Sequence, residues 1–134
     1  MERLEAMKLT GFLEHLGCRV NRLESGYSEV SLEIHQGLHN PSGTVHGGVY
    51  ATLIDAGLSL AGLSLLPIPG PVRVVQLNIN MIRSTATGEL ITKTQILNRG
   101  NSSFFGTAQI FSDEGHLVAH GTGTVVGLRI AQKN

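Results

Sequence analysis

The stretch GGVYATLIDAGLSLAGLSLL, from Gly47 to Leu66, leaves this chain few folds to choose from. It is apolar on almost every side and has the ~20-residue length of a bilayer span. Asp55 falls near its centre, however, where insertion is penalised by roughly 2.5–3.5 kcal/mol. The segments on both sides alternate apolar and polar residues, as a sheet with one wet face does. The stretch therefore reads as a helix buried in a soluble fold, ended abruptly by Pro67, Pro69, Gly70 and Pro71.

Almost everything else reads as strand. Val20 to Leu23 and Val30 to Ile34 flank the turn Glu24-Ser25-Gly26 and predict a first hairpin. After the helix, Val75, Leu77, Ile79 and Met81 alternate with Gln76, Asn78 and Asn80, which predicts one dry face and one wet face. The turns Thr87-Gly88, Asn98-Arg99-Gly100-Asn101 and Asp113-Glu114-Gly115 set off the runs Leu90 to Leu97, Ser103 to Phe111 and His116 to Val126. Links this short make antiparallel neighbours. One long helix and about five or six strands, with no second helix large enough to cover the sheet, predict an α+β fold in which the sheet curls around the helix. The 134 residues carry no repeat or linker and are read as one domain, 1–134.

The formal net charge is zero and the ten Lys and Arg residues are scattered, which argues against a nucleic-acid partner and makes any anion site local. Cys18, the single cysteine, has no partner for an internal disulfide, so nothing points to an oxidising compartment. The first residues, MERLEAMKLTGFLEHLG, mix charge and apolar residues at helical spacing and lack the unbroken apolar core of a signal peptide. A cytoplasmic protein with no membrane partner is the expectation. His116 and His120 on one strand stand roughly 13 Å apart and cannot share an ion. His35 and His39 have no Cys or acid cluster beside them, so neither a metal nor a cofactor is expected. Gly57-Leu58-Ser59-Leu60-Ala61 misses the last glycine of a GxSxG elbow, and no phosphate-binding GxGxxG or GKS/T loop occurs.

Wound at 100° per residue, the helix has two apolar ridges, Val49, Leu53, Ala56, Leu60, Leu63 and Tyr50, Ile54, Leu58, Ala61, Leu65. The remaining stripe is Gly48, Thr52, Asp55, Ser59 and Gly62, narrow and polar. Asp55 and Ser59 are four apart and can meet there, and their small neighbours leave room for a second chain or a thin ligand. A carboxyl group so placed is either a structural acid satisfied at a subunit interface or a desolvated acid tuned for nucleophilic or base chemistry. Gly47 and Gly48 begin the helix, where unpaired N–H groups and the dipole's positive end can hold an oxyanion. Asn40, just upstream, can orient a water or a carbonyl, or simply make an Asn-Pro turn. His46 reads as a cap or a loop support.

The segment His39-Asn40-Pro41-Ser42-Gly43-Thr44-Val45-His46-Gly47-Gly48, followed by Asp55, resembles the signature of hotdog-fold acyl-CoA thioesterases of the phenylacetate-pathway (PaaI-like) family. The likeness covers most of the chain, from the entry hairpin through the HGG-led helix and the Pro/Gly break to the later strands. It implies a hotdog fold, a homodimer joined through one continuous sheet, dimers pairing into a homotetramer, and active sites at the subunit interface. It implies Asp55 as nucleophile or general base, the Gly47 N–H as the donor that polarises the thioester carbonyl, Asn40 as a carbonyl- or water-positioning group, and Ser59 as a water-orienting hydroxyl. For the phosphates of coenzyme A it points to the loop carrying Arg99, Gly100, Asn101, Ser102 and Ser103, with Arg83 as a second position. Ser84 follows Arg83 where family members often carry proline, so the path of that loop departs from the pattern.

Aryl, phenylacetyl and medium-chain acyl groups all suit such a site, and Tyr50, Phe104 and Phe105 are the rings considered for stacking. Two other readings stay open. A hotdog enoyl-thioester dehydratase or hydratase would use His46 with Asp55, although the HGG context fits hydrolysis better. A non-catalytic acyl-CoA-binding regulator needs an appended DNA-binding unit, and the ~16 residues before Gly17 are too short for one.

Overall fold

The turn chemistry organises the chain as a meander around one helix. The computed structural model describes residues 9–67 and 70–127. A short helix α1 (Gly11–Leu16) leads into β1 (Arg19–Glu24) and β2 (Tyr27–Glu33). A 3-10 turn (Gln36–Leu38) and a loop precede the central helix α2 (Gly47–Leu63). Then follow β3 (Val72–Met81), β4 (Glu89–Arg99), β5 (Ser103–Ser112) and β6 (Leu117–Gly127). All pairings are antiparallel, in the order β1-β2-β4-β5-β6-β3. The sheet curls around α2, the arrangement expected of one large apolar helix among strands that each have one dry face.

What lets the helix sink into the sheet is a set of glycines on the facing strands. A Cβ on Gly123 would stand 2.8 Å from Leu58 Cδ1, one on Gly106 2.9 Å from Leu58 Cδ2, and one on Gly121 2.9 Å from Ile54 Cδ1. Those bare positions form the trough that receives the Ile54/Leu58 ridge. Leu53, Ile54 and Leu58 are fully buried against Val30, Leu32, Leu90, Ile110 and Val125, each side chain contributing about 1.5–3 kcal/mol by its burial. On the other side of the helix Gly57 meets β4, where an added Cβ would run into the Thr94 hydroxyl. Ser28 Oγ donates to the Gly57 carbonyl at 2.8 Å. The buried hydroxyls of Thr92 and Thr94 have no partner among the described residues.

Two expectations need correction here. The helix stops at Leu63, three residues before Leu66, because Ser64 ties the chain into the first hairpin: its Oγ accepts the Gly26 N–H at 2.8 Å and lies 2.9 Å from the Glu24 carbonyl. Val75 is 59% exposed instead of sharing the dry face with Leu77 and Ile79. A bulge between Val74 and Gln76 resets the phase, so inward positions are Val72 and Val74 before it and Leu77 and Ile79 after it.

The two edges of the sheet differ. β1 is six residues long, carries Arg19 and Arg22, and is broken by a register shift between Val20 and Arg22. β3 is ten residues long, carries only Arg73 as a charge, and has no partner on its outer side among the described residues. By the usual devices that protect an edge, β1 is defended and β3 is not. Among the described residues no helix is long and apolar enough to cross a membrane.

Candidate active site

The loop before α2 is held by one side chain. Asn40 Oδ1 accepts the N–H groups of Ser42 at 3.0 Å and Thr44 at 3.1 Å, and Asn40 Nδ2 donates to Thr44 Oγ1 at 3.0 Å. The closed loop, pinned by a bridge between His39 and Val45, delivers the chain to the helix. His46 is the N-cap: its backbone is extended, with φ −65° and ψ 138°, and its Nδ1 accepts the Gly48 N–H at 2.7 Å. Gly47 is thus the first residue of the helix. Its N–H has no acceptor among the described residues, and the helix dipole makes it a donor for developing negative charge.

Asp55 lies two turns further on, on the polar stripe. It borders a crevice of about 420 Å³ whose wall includes Phe12, Leu13, Ala51 and Leu77. The residue is exposed, yet its carboxyl group has lost hydration to these neighbours, and that desolvation raises its pKa above the ordinary 3.8. No salt bridge or hydrogen bond engages it among the described residues. An unpaired acid with a raised pKa at a crevice suits a base or nucleophile better than a structural anchor. Thr52 and Ser59 flank it, half-buried, on the same stripe, while Gly62 at the far end is buried under Val125 and Phe104.

Residues 42–119 match the sequence profile of the thioesterase superfamily. A Halobacterium salinarum protein described as an esterase is 36% identical over 105 residues, covering 75% of this chain and 68% of its own. The chain belongs to the thioesterase superfamily. Further off, the 1,4-dihydroxy-2-naphthoyl-CoA hydrolase of Listeria monocytogenes is 26% identical over 93 residues, covering 69% of this chain and 76% of its own. The solved structure of a conserved protein from Pseudomonas aeruginosa superposes with a TM-score of 0.85 at 30% identity, over 90% of this chain and 95% of that one. The sheet wrapped around α2 is the hotdog fold that the HGG-to-Asp55 motif implied.

In this thioesterase the positions suggested for coenzyme A do not converge. Arg83 follows β3, and its N–H reaches the Val118 carbonyl at 3.1 Å, at the start of β6. The 99–103 loop sits beside the other end, where Ser103 pairs with Val126. Eight residues of extended strand, roughly 26 Å, separate those ends, so Arg83 and Arg99 of one chain cannot hold the same phosphate. Arg83 lines a polar cavity of about 350 Å³ with Ser84, Thr85, Asp113 and His116, near the start of α2. Arg99 donates to the Leu65 carbonyl at 3.0 Å, just past the helix C-terminus. The loop behind it is closed by Gly100 N–H to the Ser103 carbonyl and Gly127 N–H to the Ser102 carbonyl, both at 2.8 Å, leaving Asn101 exposed at its tip.

The rings considered for stacking also fall elsewhere. Tyr50 and Phe104 are core residues, each 3% exposed, and Phe105 lies on the outer face of the sheet, away from α2. The aromatic residue beside Asp55 is Phe12, which no motif marks. Met81 is missed in the same way: it keeps the inward phase of β3 but projects past the sheet, against Gly47. Among the described residues no three His, Cys, Asp or Glu side chains gather as metal ligands would.

Proposed function

We propose that the chain hydrolyses acyl-CoA thioesters with aryl, phenylacetyl or medium-chain acyl groups, Asp55 acting as nucleophile or general base and the Gly47 N–H polarising the carbonyl. The observation that carries this reading is the offset of the two groups on one helix. Gly47 and Asp55 are eight residues apart on α2, roughly 12 Å along the axis. Reacting atoms must come within about 3–3.5 Å, so one chain cannot apply both groups to one carbonyl. A second copy, added to the bare edge of β3 so that its helix runs antiparallel, brings the Gly47 of one chain to the Asp55 of the other. The open edge of β3, with Arg73 as its single charge, supports such a homodimer, and pairs of dimers make the homotetramer.

In this site the carbonyl oxygen docks on the Gly47 N–H. The Asp55 of the second copy then attacks the carbonyl carbon, expelling the CoA thiolate and leaving an anhydride that water opens, or it takes a proton from a water that attacks instead. Asn40 retains one amide N–H beyond its bond to Thr44, and Ser59 offers a hydroxyl on the Asp55 stripe; either suits that water or carbonyl. His46 serves as the cap, with Gly48 bonded to it. With Nδ1 occupied by the Gly48 N–H, the neutral ring carries its proton on Nε2 and has no free lone pair, which disfavours a dehydratase using His46 as base. The name of the Listeria relative supports an aryl substrate. Hydrolysis by this route needs no cofactor, and a cytoplasmic setting suits its substrate.

The test is complementation. Asp55→Ala and Gly47→Pro chains, each inactive alone, are mixed and assayed by thiol release from an acyl-CoA panel. About a quarter of wild-type activity is expected, from one intact site in the mixed half of the dimers. A mixture as inactive as its components means the groups do not act across an interface. Full activity of Asp55→Ala alone removes Asp55 from the chemistry.

A further inference from the structure

We propose that Phe12 is the wall against which the substrate's acyl group packs, and that its ring sets the preference for aryl over straight-chain acyl groups. This rests on the reading of the chain as an acyl-CoA hydrolase and names a specificity residue for that site.

Helix α1 is only six residues long, but it is fixed in place. Leu13 and Leu16 pack against the core, and the helix closes at Gly17, whose φ of 96° lets its N–H bond back to Leu13 and Glu14. Phe12, one residue before the anchor Leu13, turns outward and is 62% exposed. Its ring borders two crevices that meet along α2. One, about 420 Å³, contains Asp55. The other, about 430 Å³, contains His46 and Gly48 at the start of the helix. Phe12 and Thr52 are the two residues common to both. Anything that passes between the helix start and Asp55 along this face passes the ring.

The chemistry of the wall selects the part of the substrate that belongs there. The side chains around Asp55 are hydrocarbon from Phe12, Leu13, Ala51 and Leu77, together with Thr52, whose hydroxyl is already bonded to the Gly48 carbonyl. Among the described residues no cation stands on that wall, and its one charge is the carboxyl group itself, which repels phosphate. The acyl end, not the nucleotide end, therefore fits. An aromatic ring can cover the face of Phe12 and gain an offset or edge-to-face contact, a preference of roughly two- to tenfold beyond the area buried. A straight chain gains only the area.

The test uses ligands that cannot be hydrolysed: S-phenacyl-CoA and S-hexyl-CoA, both thioethers, with CoA alone as reference. Affinities are measured by calorimetry for wild type, Phe12→Ala and Phe12→Leu, with sedimentation velocity on each protein. Phe12→Ala should weaken S-phenacyl-CoA about tenfold and leave CoA within twofold. Phe12→Leu should restore most of the S-hexyl-CoA affinity but not that of S-phenacyl-CoA. The inference is overturned if wild type binds S-phenacyl-CoA no better than CoA, or if Phe12→Ala weakens all three ligands equally. It is also overturned if Phe12→Ala dissociates the oligomer, because the ring then covers a second copy of the chain. These ligands do not react, so the outcome stands even if Asp55 plays no part in hydrolysis, and failure of the complementation experiment leaves it intact.

Discussion

Met81 lies against Gly47, its Sδ 2.8 Å and its Cε 2.9 Å from the point where a Cβ on the glycine would be. Met81 is 55% exposed and its flexible thioether can move aside, so the demand for glycine at the helix start is soft.

Gly47→Pro is consequently a clean probe of the N–H. Gly47 is the first helical residue, where proline is tolerated because the missing hydrogen bonds nothing in the helix. The residue before it, His46, already has the extended backbone that precedes proline. The variant should fold with nearly unchanged Tm and lose about 10²–10³ in kcat, whereas Gly47→Ala, which keeps the N–H, should keep most of its activity. Equal kcat values for Gly47→Pro and Gly47→Ala rule out the donor role.

Asp55, in the role proposed for it, should govern the acid limb of the pH profile. Its pKa is raised by desolvation, so kcat/KM should fall on acidification with a midpoint above the ordinary 3.8. The sign for stability is opposite to that of a salt-bridged acid. The folded state holds the proton more tightly than the unfolded chain, so stability is lost as pH rises from 3.8 through the raised value and stays lowered above it. Asp55→Asn should therefore be at least as stable as wild type at neutral pH while hydrolysing at least 10²-fold more slowly. A lower Tm for Asp55→Asn at neutral pH contradicts the desolvation account.

Gly57 should not tolerate alanine. Alanine would gain about 1 kcal/mol of helix propensity, but its methyl meets the Thr94 hydroxyl and lies 3.3 Å from Thr94 Cβ, an overpacking that costs about 1–3 kcal/mol. Chemical denaturation should show a net loss for Gly57→Ala and a smaller loss when Thr94→Ala is already present. Additive effects of the two changes would mean that the contact is relieved elsewhere.

Thr92 buries a hydroxyl without a partner among the described residues, so Thr92→Val removes a desolvated group at little change in shape. The variant should be neutral to about 1 kcal/mol more stable. Marked destabilisation would reveal a hydrogen bond to an ordered water.

The parts of this structure legible in sequence are those fixed by local chemistry. Glycine turns set the hairpins, and the helix angle put Asp55 on the one polar stripe. Gly47 is read as the helix start because a cap residue must precede it, and His46 fills that role. What was hidden depends on where distant segments meet. Nothing near Val75 announces the bulge that turns it outward; that is decided by register against β6. Arg83 and Arg99 look interchangeable as cations until the strand pairing puts them at opposite ends of the sheet. Tyr50 and Phe104 look available until the sheet closes over them, and Phe12 looks like one more apolar residue of an N-terminal helix until α1 folds back beside α2.

The unprotected length of β3 also bears on how the protein matures. Ten residues of open backbone, with a single arginine to discourage strangers, are a template for whichever strand arrives first. For the homodimer proposed above, maturation would end in a bimolecular step whose success depends on the local density of sister chains. On that reading, chains made far apart would be the ones exposed to aggregation, while chains made side by side, as from one crowded message, would find each other in time.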